Sequence, residues 1–220
     1  MIIQSNSKPS FEINLRKDSF KFNAAHFVAF PGFRERLHGH NYTLAIRLIG
    51  SHQIGGDGYV LDFGDVKTVV KKICKDLNEL FLCPMRSNVL HISVEDDVNG
   101  DKNKGKVTIL CEDGSEFMIP KEDCVLLPIA HSTVEELAIY LWGKVLIELD
   151  PENLLKRGIH TMELTCTEAP GQEAVFRLEI PSGADAEDIK QLCDVDRYIR
   201  KDDLYPKPCV TAKKDSSIQN

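Results

Sequence analysis

The chain is 220 residues long, with 42% hydrophobic content and a formal net charge of −7, which is enough for one domain with a sizeable core. A sequence pI near 5.5 without a clustered basic face argues against nucleic acid as a partner, because phosphate contacts need such a face. The opening MIIQSNSKPS lacks the apolar run of a signal peptide, and no stretch approaches the roughly 20 apolar residues of a membrane span, so a cytoplasmic protein with no membrane partner is expected.

Residues 1–17 are expected to form an N-terminal extension and 18–182 a single domain. From Asp18 to Ile49 the pattern is two strands joined by a loop: SFKFNAAHFVAF alternates, FPGFRER turns, and HNYTLAIRLIG alternates again. After the glycine-rich GGDGY, a helix begins near Val60-Leu61-Asp62, with Asp62 or Asp65 able to cap it. Its apolar stripe is Val66, Val69, Val70, Ile73, Leu77, Leu80 and Phe81.

Residues 83–130 have the character of an insertion. VEDDVNGDKNKGK is charged, poor in apolar residues and expected to be mobile, whereas KVTILCEDGSEFMIP is a hairpin candidate turning at Asp113-Gly114. No chemistry is expected there. A second helix starts at Ser132-Thr133, each followed three residues on by a glutamate, with the stripe Leu137, Ala138, Leu141, Trp142, Val145, Leu146 and Leu149. Two strands follow, Ile159 to Thr167 and Ala174 to Ile180, around the tight APGQE segment. Residues 183–220 are polar and proline-spaced, and are expected to be a tail.

The seven cysteines form no CxxC pair, and an odd number cannot all pair within one chain, so free thiols are expected. The histidines carry more information. His38 and His40 stand two apart on a predicted strand, so both side chains leave one face, about 7 Å apart along the strand. His26, on the preceding strand, comes opposite them if the strands pair. Three imidazoles with one open position describe a catalytic zinc, which lowers the pKa of a bound hydroxyl and polarises a neighbouring carbonyl. The competing reading is a turn with incidental histidines and a core His26. Glu168 falls in phase with the apolar Met162, Leu164 and Cys166, opposite to Glu163, Thr165 and Thr167. A carboxylate on a buried face needs a partner, and a ligand with N–H donors would provide one; otherwise Glu168 lies beyond the strand end in solvent.

FNAAH with HGHNY, and STVEELA with EAPGQEAVF, resemble the 6-pyruvoyl-tetrahydropterin synthase family, which includes the 6-carboxy-tetrahydropterin synthases. The resemblance spans roughly residues 18–180, interrupted by the insertion. It implies an α+β tunnelling fold, a four-stranded antiparallel sheet with two helices on one face, here with an inserted β-hairpin region. It also implies a homo-oligomer, usually a hexamer, with sites at subunit interfaces and a small-molecule pterin as partner. By resemblance His26, His38 and His40 are the ligands of Zn2+, Glu168 anchors the pterin, and Thr133 contacts its ring.

Two positions depart from the family pattern. Arg34 stands where members usually carry a cysteine, four residues before the first histidine of HGH, and Glu35 is its neighbour. This looks most like the type III branch known from malaria parasites, where a loop glutamate replaces the cysteine. Such members act on dihydroneopterin triphosphate and release 6-hydroxymethyl-dihydropterin in folate synthesis. The implied activity is a zinc-dependent lyase releasing that product and/or 6-pyruvoyl-tetrahydropterin. The alternatives are 6-carboxy-tetrahydropterin synthase activity, or a non-catalytic zinc- and pterin-binding homologue. Glu35 is then the candidate general base, or else a solvated loop charge, and Arg34 with Arg36 is expected to steer the triphosphate. Asn78-Glu79 replaces the usual Asp-His, which leaves Glu79 as a substitute acid or base or a helix-surface charge. His131 and His91 are further candidate proton relays.

Overall fold

Alternating apolar residues make the long first strand, β1 (Phe11–His26), whose inward side chains Ile13, Leu15, Phe20, Phe22 and Ala24 are buried. The computed structural model describes residues 9–96 and 105–199. The remaining elements are β2 (Ala29–Phe30), β3 (Phe33–Arg34), β4 (His38–Gly50), α1 (Phe63–Leu77), β5 (Leu80–Pro84), β6 (Leu90–Asp96), β7 (Gly105–Cys111), β8 (Glu116–Pro120), β9 (Cys124–Leu127), α2 (Val134–Leu149), α3 (Pro151–Lys156), β10 (Ile159–Ala169), β11 (Gln172–Glu179) and α4 (Ala186–Leu192).

The main sheet runs β11-β10-β4-β1-β5-β9. Its first four strands are antiparallel neighbours, as the family resemblance implies. The sheet is larger than predicted, because β5 adds parallel to β1 and β9 adds parallel to β5. Leu80 and Phe81, which continue the helical spacing of α1, belong to that added strand. Asn78 ends the helix and Glu79 takes a left-handed backbone at φ 63°, turning the chain into the sheet.

The cores of α1 and α2 cover the sheet. Asp62 caps α1 by accepting from the Gly64 N–H, and all seven predicted stripe residues of α2 are buried. Trp142 donates its indole N–H to the Met162 carbonyl at 2.8 Å, fastening α2 to β10. On the far side of β10, Glu163 is buried rather than solvent-facing, because Arg47 and Arg177 lie against it.

Three of the expected boundaries differ from the structure. Residues 11–17, placed in the N-terminal extension, are already strand β1. The insertion contains a three-stranded sheet, β6-β7-β8, and not only a hairpin; the turn at Asp113-Gly114 is present between β7 and β8. The segment from 183 is not wholly a tail, since α4 packs Ile189 into the core and Tyr198 stacks edge-on against Phe176. The charged stretch expected to be mobile falls mostly in 97–104, outside the described residues, as do 200–220.

Candidate active site

The register of β1 and β4 decides the site. His26 pairs directly with His38, and Ala24 with His40, so all three imidazoles leave one face of the ladder. Their ring centroids are 4.6 Å (His26–His38), 5.2 Å (His26–His40) and 4.9 Å (His38–His40) apart. Gly39, between the last two, is held by space as well: a Cβ there would stand 3.0 Å from the Ala24 carbonyl oxygen.

Glu168 joins this group from the end of β10. The β10–β11 register slips between Thr167 and Ala169, so Glu168 sits at a bulge, beyond the last pair with β4. One of its oxygens lies 2.9 Å from His40 Nε2 and 3.2 Å from His26 Nε2. One ligand atom from each of His26, His38, His40 and Glu168 lies within 4.8 Å of the others.

The donor set fits a metal ion. His26 Nδ1 is 2.8 Å from the Ser132 carbonyl and His38 Nδ1 is 2.7 Å from the Arg36 carbonyl. A carbonyl only accepts, so each Nδ1 carries the proton and each Nε2 presents its lone pair. Burial pushes the His26 pKa down, against the opposing pull of the Ser132 carbonyl and Glu168, which favours the neutral imidazole that metals bind. His26 Nε2 is also buried without a hydrogen-bond partner among the described residues. Ser132, which orients His26, is itself fixed by donating its hydroxyl to the Phe27 carbonyl at 3.0 Å.

Glu35, Glu168, Thr133 and His26 share a cavity of about 440 Å³, with Glu135 and Glu173 at its rim. Glu35 is positioned by its own loop: its carboxylate accepts from the Val28 N–H at 3.0 Å, and its N–H donates to the Val28 carbonyl at 2.9 Å. Thr133 is the N-cap of α2 and lines the same space.

Four expected residues fall elsewhere. Glu79 lines a second cavity of about 780 Å³ with His40, Asn41 and Asp123, so of the histidine cluster it shares that cavity only with His40. His131 is among the lining residues of neither cavity; its Nδ1 lies 2.8 Å from the Glu136 carboxylate, which also accepts the N–H groups of Ala130 and His131. Glu136 therefore closes the turn ahead of α2, reaching further back than the capping box that the sequence suggests. Arg34 points away from the cavity, its guanidinium held by Asp113, Ser115 and the Glu35 carbonyl. His91 sits in strand β6 of the inserted sheet.

Tyr42 escaped the sequence reading. It stacks on Phe22 at 4.9 Å, touches the rings of His26 and His40, and has a buried hydroxyl without a hydrogen-bond partner among the described residues. Burial first, and then the nearby carboxylates of Glu168 and Glu35, push its pKa up, so it stays a neutral phenol beneath the site. Its position in HGHNY, two residues past His40, was the available signal.

The family model for 6-pyruvoyl tetrahydropterin synthase matches residues 15–179. A putative 6-carboxy-5,6,7,8-tetrahydropterin synthase of Methanocaldococcus jannaschii is 31% identical over 166 residues, covering 76% of this chain and 94% of that protein. Solved structures of the Plasmodium falciparum and Plasmodium vivax 6-pyruvoyl tetrahydropterin synthases are similar too. They are 40% and 44% identical, cover 78% of this chain and 99% of theirs, and superpose with TM-scores of 0.70 and 0.71. The chain belongs to the 6-pyruvoyl tetrahydropterin synthase family, and is a lyase of pterin biosynthesis with that family's fold.

Proposed function

We propose that the protein is a zinc-dependent lyase that acts on dihydroneopterin triphosphate and releases 6-hydroxymethyl-dihydropterin and/or 6-pyruvoyl-tetrahydropterin. The observation that carries this reading is the convergence of Glu35, Glu168, Thr133 and His26 on one cavity beside the three-histidine cluster. A Plasmodium vivax relative, 43% identical, has been solved with a catalytic glutamate replaced by alanine, which supports a glutamate in that role here. Glu35 is our candidate for its counterpart.

Zinc held by His26, His38 and His40 supplies Lewis acidity toward substrate oxygens. Glu168 holds the pterin through its amino and ring N–H groups, and Thr133 bounds the ring. Glu35 takes the proton from the hydroxyl on the second side-chain carbon of the substrate. The bond between the first and second side-chain carbons then breaks in retro-aldol fashion. The second carbon leaves as an aldehyde carrying the triphosphate, and the electron pair passes into the dihydropterin ring. Protonation of the first carbon completes the hydroxymethyl product.

The cavity is lined by four glutamates and no lysine or arginine, whereas a triphosphate needs cations. That imbalance supports a homo-oligomer in which a neighbouring copy, together with the exposed Arg36, completes the site; a hexamer in the cytoplasm is the arrangement we propose. A second reading, 6-carboxy-tetrahydropterin synthase activity, is favoured by the names of the archaeal and Haemophilus influenzae relatives. Incubating the purified protein with dihydroneopterin triphosphate and identifying products by mass spectrometry separates the readings. A hydroxymethyl or pyruvoyl pterin supports the first, a carboxylated pterin the second, and unconsumed substrate overturns both.

A further inference from the structure

The loop that carries Glu35 is gripped from outside by the inserted sheet. The Arg34 guanidinium lies between two aromatic rings, 5.8 Å from the Phe27 centroid and 5.4 Å from that of Phe117. Each of its nitrogens has a different partner. Nε donates to the Asp113 carboxylate at 2.8 Å, Nη2 to the Ser115 hydroxyl at 3.0 Å, and Nη1 to the Glu35 carbonyl at 2.8 Å. A second tie runs parallel, from the Gly32 N–H to the Glu112 carboxylate at 3.1 Å. Glu112, Asp113 and Ser115 all belong to the turn between β7 and β8, and Phe117 lies in β8 just beyond it. That turn is ordered in its own right, since the other Asp113 oxygen accepts the Ser115 N–H at 2.9 Å.

Three of the five Arg34 N–H donors are engaged and its side chain is only 18% exposed, so little of the guanidinium is presented to a triphosphate. What it does reach is the backbone of the next residue, Glu35, whose carboxylate faces the cavity shared with His26, Thr133 and Glu168. A planar fork between two rings fixes direction as well as distance, which a lysine ammonium cannot do.

We infer that the β6–β8 sheet is a positioning element for catalysis, and that Arg34, clamped by Asp113 and Ser115, is the positioning residue through which it holds Glu35 at the cavity. The catalytic half of this inference rests on the reading of Glu35 as the base. The clamp itself does not.

The test uses the full-length, metal-loaded protein and three variants: Arg34→Gln, Arg34→Lys, and the double variant Asp113→Asn with Ser115→Ala. The last changes only the turn between β7 and β8, away from the cavity, and guards against misfolding of the others. Amide hydrogen exchange over residues 27–37 should rise about tenfold in all three, because the loop opens more often. Turnover of dihydroneopterin triphosphate, kcat, should fall about 10- to 100-fold through misplacement of Glu35, with KM within about threefold and metal content unchanged. Lysine should fail to rescue. A raised KM with kcat intact would mean that Arg34 binds substrate and would overturn the inference, as would unchanged exchange. Glu35→Gln, run alongside, separates the two layers. Full turnover in that variant removes the base reading, and with it the catalytic half of the inference, while the exchange result still decides the clamp.

Discussion

His26 Nδ1 donates to the carbonyl of Ser132, a residue 106 positions further along the chain. The segment leading into α2 therefore sets the tautomer of a candidate metal ligand on β1, and takes part in building the histidine cluster without adding a side chain to it.

The first prediction concerns that ligand set. His26→Ala, His38→Ala and His40→Ala should each lower bound metal well below the roughly one ion per chain of the parent protein, because three imidazoles are the minimum for a catalytic site. Elemental analysis of unchelated preparations measures this. Full occupancy in any of the three would remove that histidine from the set.

Acid should act on His26 with a definite sign. Burial lowers the His26 pKa in the folded chain, so the unfolded chain binds more protons below about pH 6.5, and stability falls as pH drops through that region. The metal-free protein should thus lose melting temperature between neutral pH and about pH 5 more steeply than a His26→Gln variant. Equal slopes in a thermal scan would show that this burial has no energetic weight.

Glu35 and Glu168 are separable by experiment. Glu35→Gln should cut kcat about 10²- to 10⁴-fold and leave pterin binding and metal content near the parent values, the pattern expected when a general base is lost. Glu168→Gln should instead weaken pterin binding at least about tenfold, or about 1.4 kcal/mol, while metal remains. Fluorescence titration of a pterin and metal analysis on both variants distinguish the roles. Metal loss in Glu168→Gln would make that carboxylate a ligand, as its 2.9 Å approach to His40 Nε2 allows.

The described cysteines should be poor nucleophiles. Burial pushes the thiols of Cys74 and Cys83 up to about 12 and those of Cys124 and Cys193 up to about 11, and also raises Cys111 and Cys166. The reactive thiolate is scarce in each at pH 7.5. Alkylation followed by peptide mass spectrometry should label them far more slowly in the native than in the unfolded chain. Rapid labelling of Cys166 would mean that β10 opens readily.

Much of the site was legible because two simple periodicities carry it. HGH on a strand puts two rings on one face, and a third histidine on the paired strand completes the set. Alternation along β10 likewise marked Glu168. Other features left no such mark. Between Leu77 and Leu80 there is neither Gly nor Pro, so the helical spacing runs on into β5 unbroken; only the backbone at Glu79 reveals the exit. β6 ends in acidic residues because most of it faces outward from the inserted sheet, which hides a strand inside a charged run. Among its described residues, helix α4 has one fully buried side chain, Ile189, too sparse a pattern to stand out from a polar tail. The partners of Arg34 lie about 80 positions away, a relationship that no local pattern contains.

The slip in register at Glu168 also limits how this gene can vary. Side chains alternate with a period of two, so deleting Thr167, or adding one residue just before it, would turn the Glu168 carboxylate to the other face and bring the Ala169 methyl group or the Thr167 hydroxyl to the histidines. Length there is held as tightly as the identity of the carboxylate itself. A library of single-residue deletions should therefore find the end of β10 far less forgiving than the Pro170-Gly171 turn that follows it.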